Sequence, residues 1–376
     1  MKRLLCIFLL LPFFSFVYAQ DTIEREFKTT AGKKLEMDLK TGGSIRVTGW
    51  DREAISVKVH GFEDSSPQPK VDFEERSSGL LVTSRFGGLH NGNSHSNLEF
   101  EVQVPKKFSL SLESMGGDFA IRGVEGSMHG KTMGGALELE GLKGDLDLIT
   151  MGGKVTLKNS DVNGHVKTMG GKVLVDHVSG NVKATSQGGD VTQRYVTGGA
   201  GDKPTGEVQI SSMGGDINVE EAPAGADVHT MGGDIYVKKA SDHVKAKTMG
   251  GNIEIETVDG RVSATTMGGD IEVTMVGDPS KGDRSVLLQS MGGEVTLTVP
   301  PALSMDFDIT LAYTRDSHRN YKITSDFDLK QDESKEWDNS QGSPRKYIYG
   351  TGSVGGGKNK VKIKTTNGDV HLKKGT

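Results

Sequence analysis

The chain has 376 residues, one cysteine, and 45 basic against 50 acidic residues, for a formal net charge of −5. A mildly acidic chain without a basic footprint is not expected to bind nucleic acid. Cys6 lies within the first nineteen residues, so the remainder of the chain has no cysteine for catalysis, metal ligation or disulfides. The length allows two ordinary domains or one elongated array.

Residues 1–19 are predicted to be a secretory signal peptide. Lys2 and Arg3 form a basic start, an apolar run follows, and Ala19 completes a small-residue cleavage site. The apolar run is too short to span a bilayer, and no later stretch is apolar enough for a transmembrane helix. We therefore expect an exported protein, in the periplasm, on the cell surface or outside the cell, without a transmembrane segment in the mature chain.

Residues 20–110 are predicted to form a β-rich N-terminal section that caps the region after it. Apolar residues alternate with polar ones in short runs such as KLEMDL and ISVKVH, and turn signals containing Gly or Pro separate these runs. Many of the aromatic residues gather here, which gives this section enough bulk for a conventional core.

A repeated tetrapeptide, Ser/Thr-Met-Gly-Gly, dominates residues 111–300. It recurs every eighteen residues apart from two insertions, and one degenerate copy has Gln187 in place of methionine. The repeated methionines are Met115, Met133, Met151, Met169, Met213, Met231, Met249, Met267 and Met291. Between copies, β-branched residues alternate with polar ones, and nothing recurs at helical spacing.

This period predicts an all-β fold, a single-stranded parallel β-helix or β-solenoid with 18-residue coils. A right-handed sense is expected because parallel crossovers favour that hand. Residues 301–376 lose the period and are predicted to form a β-rich C-terminal section. They end in VKIKTTNGDVHL, which looks like one more coil with Asn367-Gly368 at the turn. The irregular flanks are expected to cap the open ends of the stack.

Four features resemble the putative-adhesin β-helix domains of secreted bacterial proteins. They are the signal peptide, the VPKKFSLSLESMGGD segment, the GGDI-type repeats and the closing VKIKTTNGDVHL, and the resemblance covers roughly residue 30 to the end. The resemblance implies a β-helix with an adhesin-like role, and it brings no catalytic motif. The methionine in nearly every turn departs from the commoner Asn-Gly or Ser-Gly form of that family.

Stacking the repeats would align three columns of residues. The methionines could bind a soft metal as stacked thioethers, but packing in a buried corner is the favoured interpretation. The threonines before them are interpreted as β-forming turn residues. The acidic residues after Gly-Gly could attract a cation such as Ca²⁺, although aspartate is also common in turns, and no cofactor or metal is expected. The acidic candidates are Asp190, Asp216, Asp234 and Asp270.

Two insertions break the eighteen-residue rule, at 194–206 and 276–284. Insertions in repeat proteins map to loops on one face, which is often the binding face, so they are predicted to carry recognition, with tolerated drift at a turn as the alternative. The candidate recognition residues are Arg194, Tyr195, Asp202, Lys203, Asp278, Lys281, Asp283 and Arg284.

These features favour a non-enzymatic adhesin-like or scaffold protein that presents loops on a rigid rod, with a surface protein or a polysaccharide as its partner. The sequence has neither a P-loop nor a nucleophile elbow. A polysaccharide-active β-helix enzyme is the alternative, favoured if carboxylates converge in a groove beside an insertion. A purely structural envelope protein is a further alternative, favoured if no loop-rich or concave face exists.

Overall fold

The computed structural model describes residues 22–62, 65, 67–87, 96–195, 206–278, 281–317, 319–340 and 342–375. The predicted signal peptide lies outside this range. Within these residues, all of the regular secondary structure is β-strand. Across the same residues, no helix has the length and apolar character needed to cross a membrane.

The strands fall into three groups along the chain. The N-terminal section contains β1 (Ile23–Lys28), β2 (Lys34–Leu39), β3 (Ser44–Trp50), β4 (Ala54–His60), β5 (Pro69–Arg76), β6 (Gly79–Phe86), β7 (Glu99–Pro105) and β8 (Ser109–Ser114). The repeat region contains β9 (Phe119–Arg122), β10 (Glu125–Thr132), β11 (Leu137–Glu140), β12 (Lys143–Thr150), β13 (Val155–Thr168), β14 (Val173–Ser179), β15 (Val182–Ser186), β16 (Val191–Arg194), β17 (Val208–Ser211), β18 (Ile217–Ala222), β19 (Ala226–His229), β20 (Ile235–Lys247), β21 (Ile253–Thr266), β22 (Ile271–Met275), β23 (Val286–Ser290) and β24 (Val295–Val299). The C-terminal section contains β25 (Met305–Thr314), β26 (Ile323–Ser325), β27 (Lys330–Glu333), β28 (Arg345–Val354), β29 (Asn359–Thr366) and β30 (Val370–Lys374).

Each repeat contributes a strand after its Gly-Gly turn and a strand before the next methionine, and the two kinds of strand form two rows. In the first row, Ile253 pairs in parallel with Ile235 and Ile271 of the neighbouring repeats. In the second row, Val262 pairs in parallel with Val244. The strands of the described chain form one hydrogen-bonded sheet. The predicted all-β fold with parallel stacking is therefore confirmed.

Aliphatic side chains at alternate positions fill the space between the two rows. In one repeat, Ile253, Ile255, Val258, Val262 and Ala264 are each at most 3% exposed. Burying a Val or Ile side chain contributes about 1.5–3 kcal/mol, while ordering one residue of backbone costs about 1–2 kcal/mol. A single coil therefore depends on its neighbours, which bury its side chains and complete its hydrogen bonds.

The N-terminal section continues the stack. β2 and β3 pair in parallel with β8 and β9, and Thr41 to Gly43 form the turn between β2 and β3. β6 and β7 lie in parallel on the other side of β2 and β3. Antiparallel strands then follow, since β5 pairs with β6, and β4 lies between β7 and β1. Residue 110, at which the sequence analysis divides the chain, lies in β8, and β8 pairs in parallel with β2 and β10.

The C-terminal strands return to form the opposite end. β29 and β30 stack directly on β23 and β24 with Asn367 at the turn, so the closing segment is one more coil, as the sequence predicts. β25 and β26 lie beyond that coil, and β28 and β27 add antiparallel strands. The rings of Phe307 and Phe327 pack with their centroids 5.3 Å apart in this section. Antiparallel strands at both ends cover edges that would otherwise template association.

Candidate functional site

The stack of repeats has two long edges. We call the edge formed by the Met-Gly-Gly turns, from Met115 to Gly293, the turn edge. At the opposite edge the chain passes from the first row of strands back to the second row. Both insertions lie there, because residues 194–206 join β16 to β17 and residues 276–284 join β22 to β23. We call this the insertion edge.

At the turn edge the threonine hydroxyl points inward and holds two coils together. Thr248 Oγ1 donates to the carbonyl oxygen of Gly233 in the preceding coil at 2.9 Å, and it accepts from the amide of Gly251 in its own turn at 3.2 Å. The hydroxyl bond to the preceding coil is made by Thr132, Thr150, Thr168, Ser186, Ser212, Thr230, Thr248, Thr266, Ser290 and Thr365. The threonine column is therefore part of the scaffold.

Replacing Thr248 by valine keeps the shape of the side chain and removes both hydroxyl bonds. Because Thr248 is 1% exposed, its two backbone partners lose a buried hydrogen bond. We expect the free energy of unfolding to fall by about 1–3 kcal/mol. Chemical denaturation measures this loss. The matched control is Thr265→Val, at a half-buried threonine of the next coil, and it is expected to change the free energy of unfolding by less than about 0.5 kcal/mol. Equal losses in the two variants would contradict the role given to the Thr248 hydroxyl.

The methionines point away from the core. Seven of them are 42–59% exposed, and Met151 and Met169 are half-buried. The interpretation of these residues as packing in a buried corner is therefore wrong. The physical reason is the threonine before each methionine: it takes the inward position, and adjacent residues of an extended chain point to opposite sides.

The residues after Gly-Gly form a column of hydrogen bonds. Asp234 Oδ1 accepts from the amide of Asn252 at 2.7 Å, and Asn252 Oδ1 accepts from the amide of Asp270 at 2.8 Å. The same bond from the next coil is accepted by Asp118, Asp190, Asp216 and Asp270. Lys172 pairs with Asp190 at 2.8 Å, and this bond, with the backbone bond, lowers the pKa of the Asp190 carboxyl. Each acidic candidate for a cation site thus uses one carboxylate oxygen to join coils.

A cluster of possible ligands that the sequence analysis missed lies at the closing coil. Glu294, Asp369 and His371 each offer a ligand atom within 4.8 Å of the others. His371 Nε2 lies 3.2 Å from Glu294 Oε1, and Asp369 Oδ1 accepts from the amide of Lys322 at 2.9 Å. Arg319 lies 3.6 Å from the other oxygen of Asp369. These side chains already have partners within the protein, and only the return of the C-terminal strands brings them together.

The first insertion is described only at its ends. Arg194 pairs with Glu220 at 3.0 Å, and the ring of Tyr195 lies 4.7 Å from the ring of His177. Both side chains are exposed at the insertion edge. Asp202 and Lys203, which the sequence also predicts to take part in recognition, lie outside the described residues.

The second insertion is fixed by Arg284, which is 3% exposed. Its guanidinium lies 2.6 Å from Asp259 Oδ1 and donates to the carbonyl oxygens of Val276 and Asp278 at 3.2 and 2.8 Å. The amide of Arg284 donates to Asn359 Oδ1 at 3.1 Å. The structure therefore places Arg284 beneath the loop, where it holds the loop on the stack, while Asp278, Lys281 and Asp283 are exposed.

Two cavities lie beside this loop. One, of about 490 Å³, is lined by the carboxylates of Asp242, Asp259, Asp278 and Asp283 and by the basic groups of Arg261, Lys281 and Arg284. The other, of about 480 Å³, is lined by His243, Lys245, Arg261 and Lys360, with Asp227 as its acidic residue. Arg261 lines both, so the cavities are neighbours on the insertion edge. We call this pair of cavities the insertion groove.

His243 forms part of the groove wall and bridges two carboxylates. Its Nδ1 lies 2.8 Å from Asp242 Oδ2, and its Nε2 lies 2.7 Å from Glu207 Oε1. Gly225, at φ +96°, gives the ring room, since a Cβ there would lie 2.4 Å from the imidazole. Partial burial lowers the pKa of His243, but the bonds to Asp242 and Glu207 outweigh it, and the pKa is raised above the usual histidine range.

The raised pKa makes the stability contributed by His243 depend on pH. A group with a higher pKa in the folded chain contributes its full stabilisation below the unfolded pKa, about 6.5, and loses it as the pH rises through the folded pKa. We expect His243→Gln to lower the melting temperature more at about pH 5.5 than at about pH 8.5. Thermal melts at both pH values measure this, and His165→Gln, at a half-exposed ring beside Asp147, is the matched control. An equal loss at both pH values would contradict the charged bridge.

The sequence of the chain matches the model of one protein family. The matching family model is described as Toastrack DUF4097, and it matches residues 26–373. The chain belongs to the Toastrack DUF4097 family. The expected resemblance to β-helical putative-adhesin domains is confirmed. No curated protein matches this Toastrack chain.

Three solved structures are similar to this Toastrack chain. A putative cell adhesion protein from Clostridium sporogenes is 10% identical, with 95% of this chain and 100% of that chain covered and a TM-score of 0.17. A putative lipid binding protein from Parabacteroides distasonis is 14% identical, with 68% and 97% covered and a TM-score of 0.35. A putative adhesin from Parabacteroides merdae is 14% identical, with 68% and 96% covered and a TM-score of 0.33.

Proposed function

We propose that this Toastrack protein is an exported, non-enzymatic, adhesin-like scaffold that binds an acidic polysaccharide in the insertion groove. The basic and apolar start of the chain supports export. The scaffold is a single-stranded, right-handed solenoid of eighteen-residue coils. Its coil length is supported by the pairing of Ile235 with Ile253 and of Ile253 with Ile271, and its hand by the rule for parallel crossovers.

The basic cavity of the insertion groove carries this proposal. Lys245 is paired with Asp227 at 2.9 Å, whereas the exposed Arg261 and Lys360 form no salt bridge within the described part of the chain. Arginine binds carboxylate and sulfate groups through two parallel hydrogen bonds, and lysine adds a point charge. Arg261 is near enough to Asp283 for its charge to help lower the pKa of that carboxyl, but among the described residues neither basic side chain is neutralised by a direct ion pair. Two such side chains in one cavity therefore favour an anionic group of the ligand.

The acidic cavity suits the neutral part of the same polymer. The carboxylates of Asp242 and Asp283 can accept hydrogen bonds from sugar hydroxyls. Asp278 and Lys281 form an ion pair at 3.3 Å that lines the same wall. Among the described residues, neither cavity is lined by Phe, Tyr or Trp, so recognition would depend on hydrogen bonds and charge rather than on stacking against a large ring. Because Arg261 lies between the cavities, one linear chain can contact both.

The proposal is tested by measuring the affinity of the mature protein for a panel of acidic and neutral polysaccharides. Losing one hydrogen bond to a charged group costs about 1.5–3 kcal/mol, so Arg261→Gln is expected to weaken acidic-polymer binding about tenfold or more. Arg122→Gln, at an exposed arginine in β9, is the matched control and is expected to bind like the wild type. Equal binding by both variants, or binding of a surface protein and no polysaccharide, would overturn the proposal.

A polysaccharide-active enzyme is the second candidate, because four aspartates line one cavity beside an insertion. Glycoside hydrolysis needs a carboxylic acid whose raised pKa allows it to donate a proton. The pKa of Asp283 is lowered instead, by hydrogen bonds from the backbone and side chain of Ser285, and Asp259 is paired with Arg284. These contacts favour binding over hydrolysis. We expect no new reducing ends when the bound polysaccharide is incubated with the protein.

A further inference from the structure

The exposed methionines of the turn edge are not required by the fold. The threonine hydroxyl holds adjacent coils together and the second glycine allows them to approach, whereas the methionine side chain points to solvent. Buried methionines occur elsewhere, at Met37, Met128, Met275 and Met305, each at most 1% exposed. An apolar side chain left in water at the same position of successive coils is unusual for a surface that does not bind anything.

Backbone contacts show that these turns stack directly on one another. The amide of Met249 donates to the carbonyl oxygen of Met231 at 3.2 Å, and the amide of Gly250 donates to the same oxygen at 3.1 Å. Neighbouring strands lie about 4.8 Å apart, which sets the step between successive methionines. At the first pair, Met115 and Met133 line one cavity of about 130 Å³. At this pair, the methionine side chains of adjacent coils therefore reach a common space, which Glu113 and Lys131 also line.

The donor set determines which ligand such a column would take. Thioether sulfur is a soft ligand that selects Cu(I) over hard cations, which prefer oxygen. Methionine has three rotatable bonds, so two sulfurs on neighbouring coils can converge on one ion across the strand spacing. We propose that the turn edge is a thioether ladder that binds soft monovalent cations of the Cu(I) class, each held by methionines of adjacent coils.

The ladder is divided by one residue. Gln187 occupies the methionine position of its coil, where the turn still stacks, since the amide of Gly188 donates to Met169 and the amide of Gly214 donates to Gln187. An amide side chain is a hard donor that does not replace a thioether. The exposed methionines therefore form two separate runs, one on each side of the coil that contains Gln187.

The test uses Ag(I), a soft monovalent ion that needs no reductant, added as silver nitrate in chloride-free buffer to the mature protein with ¹³C-labelled methionine methyl groups. We expect the methyl resonances of the exposed methionines to shift with saturation, while that of Met128 stays in place. The triple variant Met231→Leu, Met249→Leu and Met267→Leu keeps the apolar volume and removes sulfur, and it is expected to lose silver uptake in that run. Met128→Leu is the matched control and is expected to take up silver like the wild type.

Gln187→Met is expected to join the two runs and to raise the amount of silver bound at saturation. Thermal melts of each variant check that the stack is intact, and substitutions at exposed positions are expected to leave it so. Equal silver uptake by the triple leucine variant and the wild type would overturn the ladder. Silver-dependent shifts confined to histidine signals, with unchanged methionine methyl resonances, would overturn it as well.

Discussion

Gly269→Ala is expected to lower the free energy of unfolding by about 3 kcal/mol, whereas Gly268→Ala is expected to change it by less than about 0.5 kcal/mol. A Cβ on Gly269 would lie 2.0 Å from the carbonyl oxygen of Gly251 in the preceding coil. The nearest atom to a Cβ on Gly268 is the carbonyl oxygen of Gly250, at an ordinary contact distance of 3.6 Å. Backbone atoms cannot move aside as a flexible side chain can, so the coils themselves would have to separate.

Chemical denaturation of the two alanine variants under the same conditions measures this difference. The adjacent positions share a turn, so each controls for the lost freedom of glycine in the unfolded chain. Equal destabilisation would contradict the close approach of coils as the reason for the second glycine. The same approach, 1.9–2.3 Å from a backbone oxygen of the neighbouring coil, recurs at Gly135, Gly153, Gly171, Gly189, Gly215, Gly233, Gly251, Gly293 and Gly368. The contacts of the first glycine do not explain its presence.

Arg284→Gln is expected to release the second insertion and to destabilise the protein by about 3 kcal/mol or more. The variant loses the ion pair with Asp259 and two bonds to backbone carbonyls, and a bond to a charged donor contributes about 1.5–3 kcal/mol. The ion pair adds little to this sum because Asp259 is 46% exposed and solvent screens it. Because Arg284 positions Asp278 on the groove wall, acidic-polysaccharide binding is expected to weaken as well.

Denaturation and limited proteolysis measure these effects separately. The variant is expected to be cleaved within residues 276–284 under conditions that leave the wild type intact. Lys281→Gln, at an exposed side chain of the same loop, is the matched control and is expected to stay within about 0.5 kcal/mol of the wild type. A loop that resists cleavage in Arg284→Gln would show that other contacts hold it.

Periodicity made the scaffold predictable. The alternation of Ile253 and Ile255 and the fixed spacing of Met-Gly-Gly follow directly from parallel stacking, and Asn367-Gly368 was recognisable as one more turn. The direction of the methionine side chain was not predictable from apolarity. It depends on which turn residue points inward, and that position is decided by a hydrogen bond from the threonine hydroxyl.

The insertion groove could be predicted only in part. The spacing of the repeats located the loop at 276–284. Arg284 lies in a polar segment, where the sequence alone predicts an exposed charge. Its burial depends on the position of Asp259 in the preceding coil. Lys360 reaches the groove because β29 returns to stack on β23. When the repeats are aligned in register, His243 lies opposite Arg261. This alignment is the feature of the sequence that could have predicted that these two residues lie side by side.

Hydrogen–deuterium exchange on the mature protein, with and without a bound acidic polysaccharide, tests the central claim most directly. We expect the ligand to slow exchange in peptides that cover residues 241–245, 259–263 and 281–287, which line the insertion groove. The Met-Gly-Gly turns on the opposite edge are expected to exchange at unchanged rates. Protection confined to those turns or to the capping strands at either end, with the groove unaffected, would contradict recognition at the insertion edge.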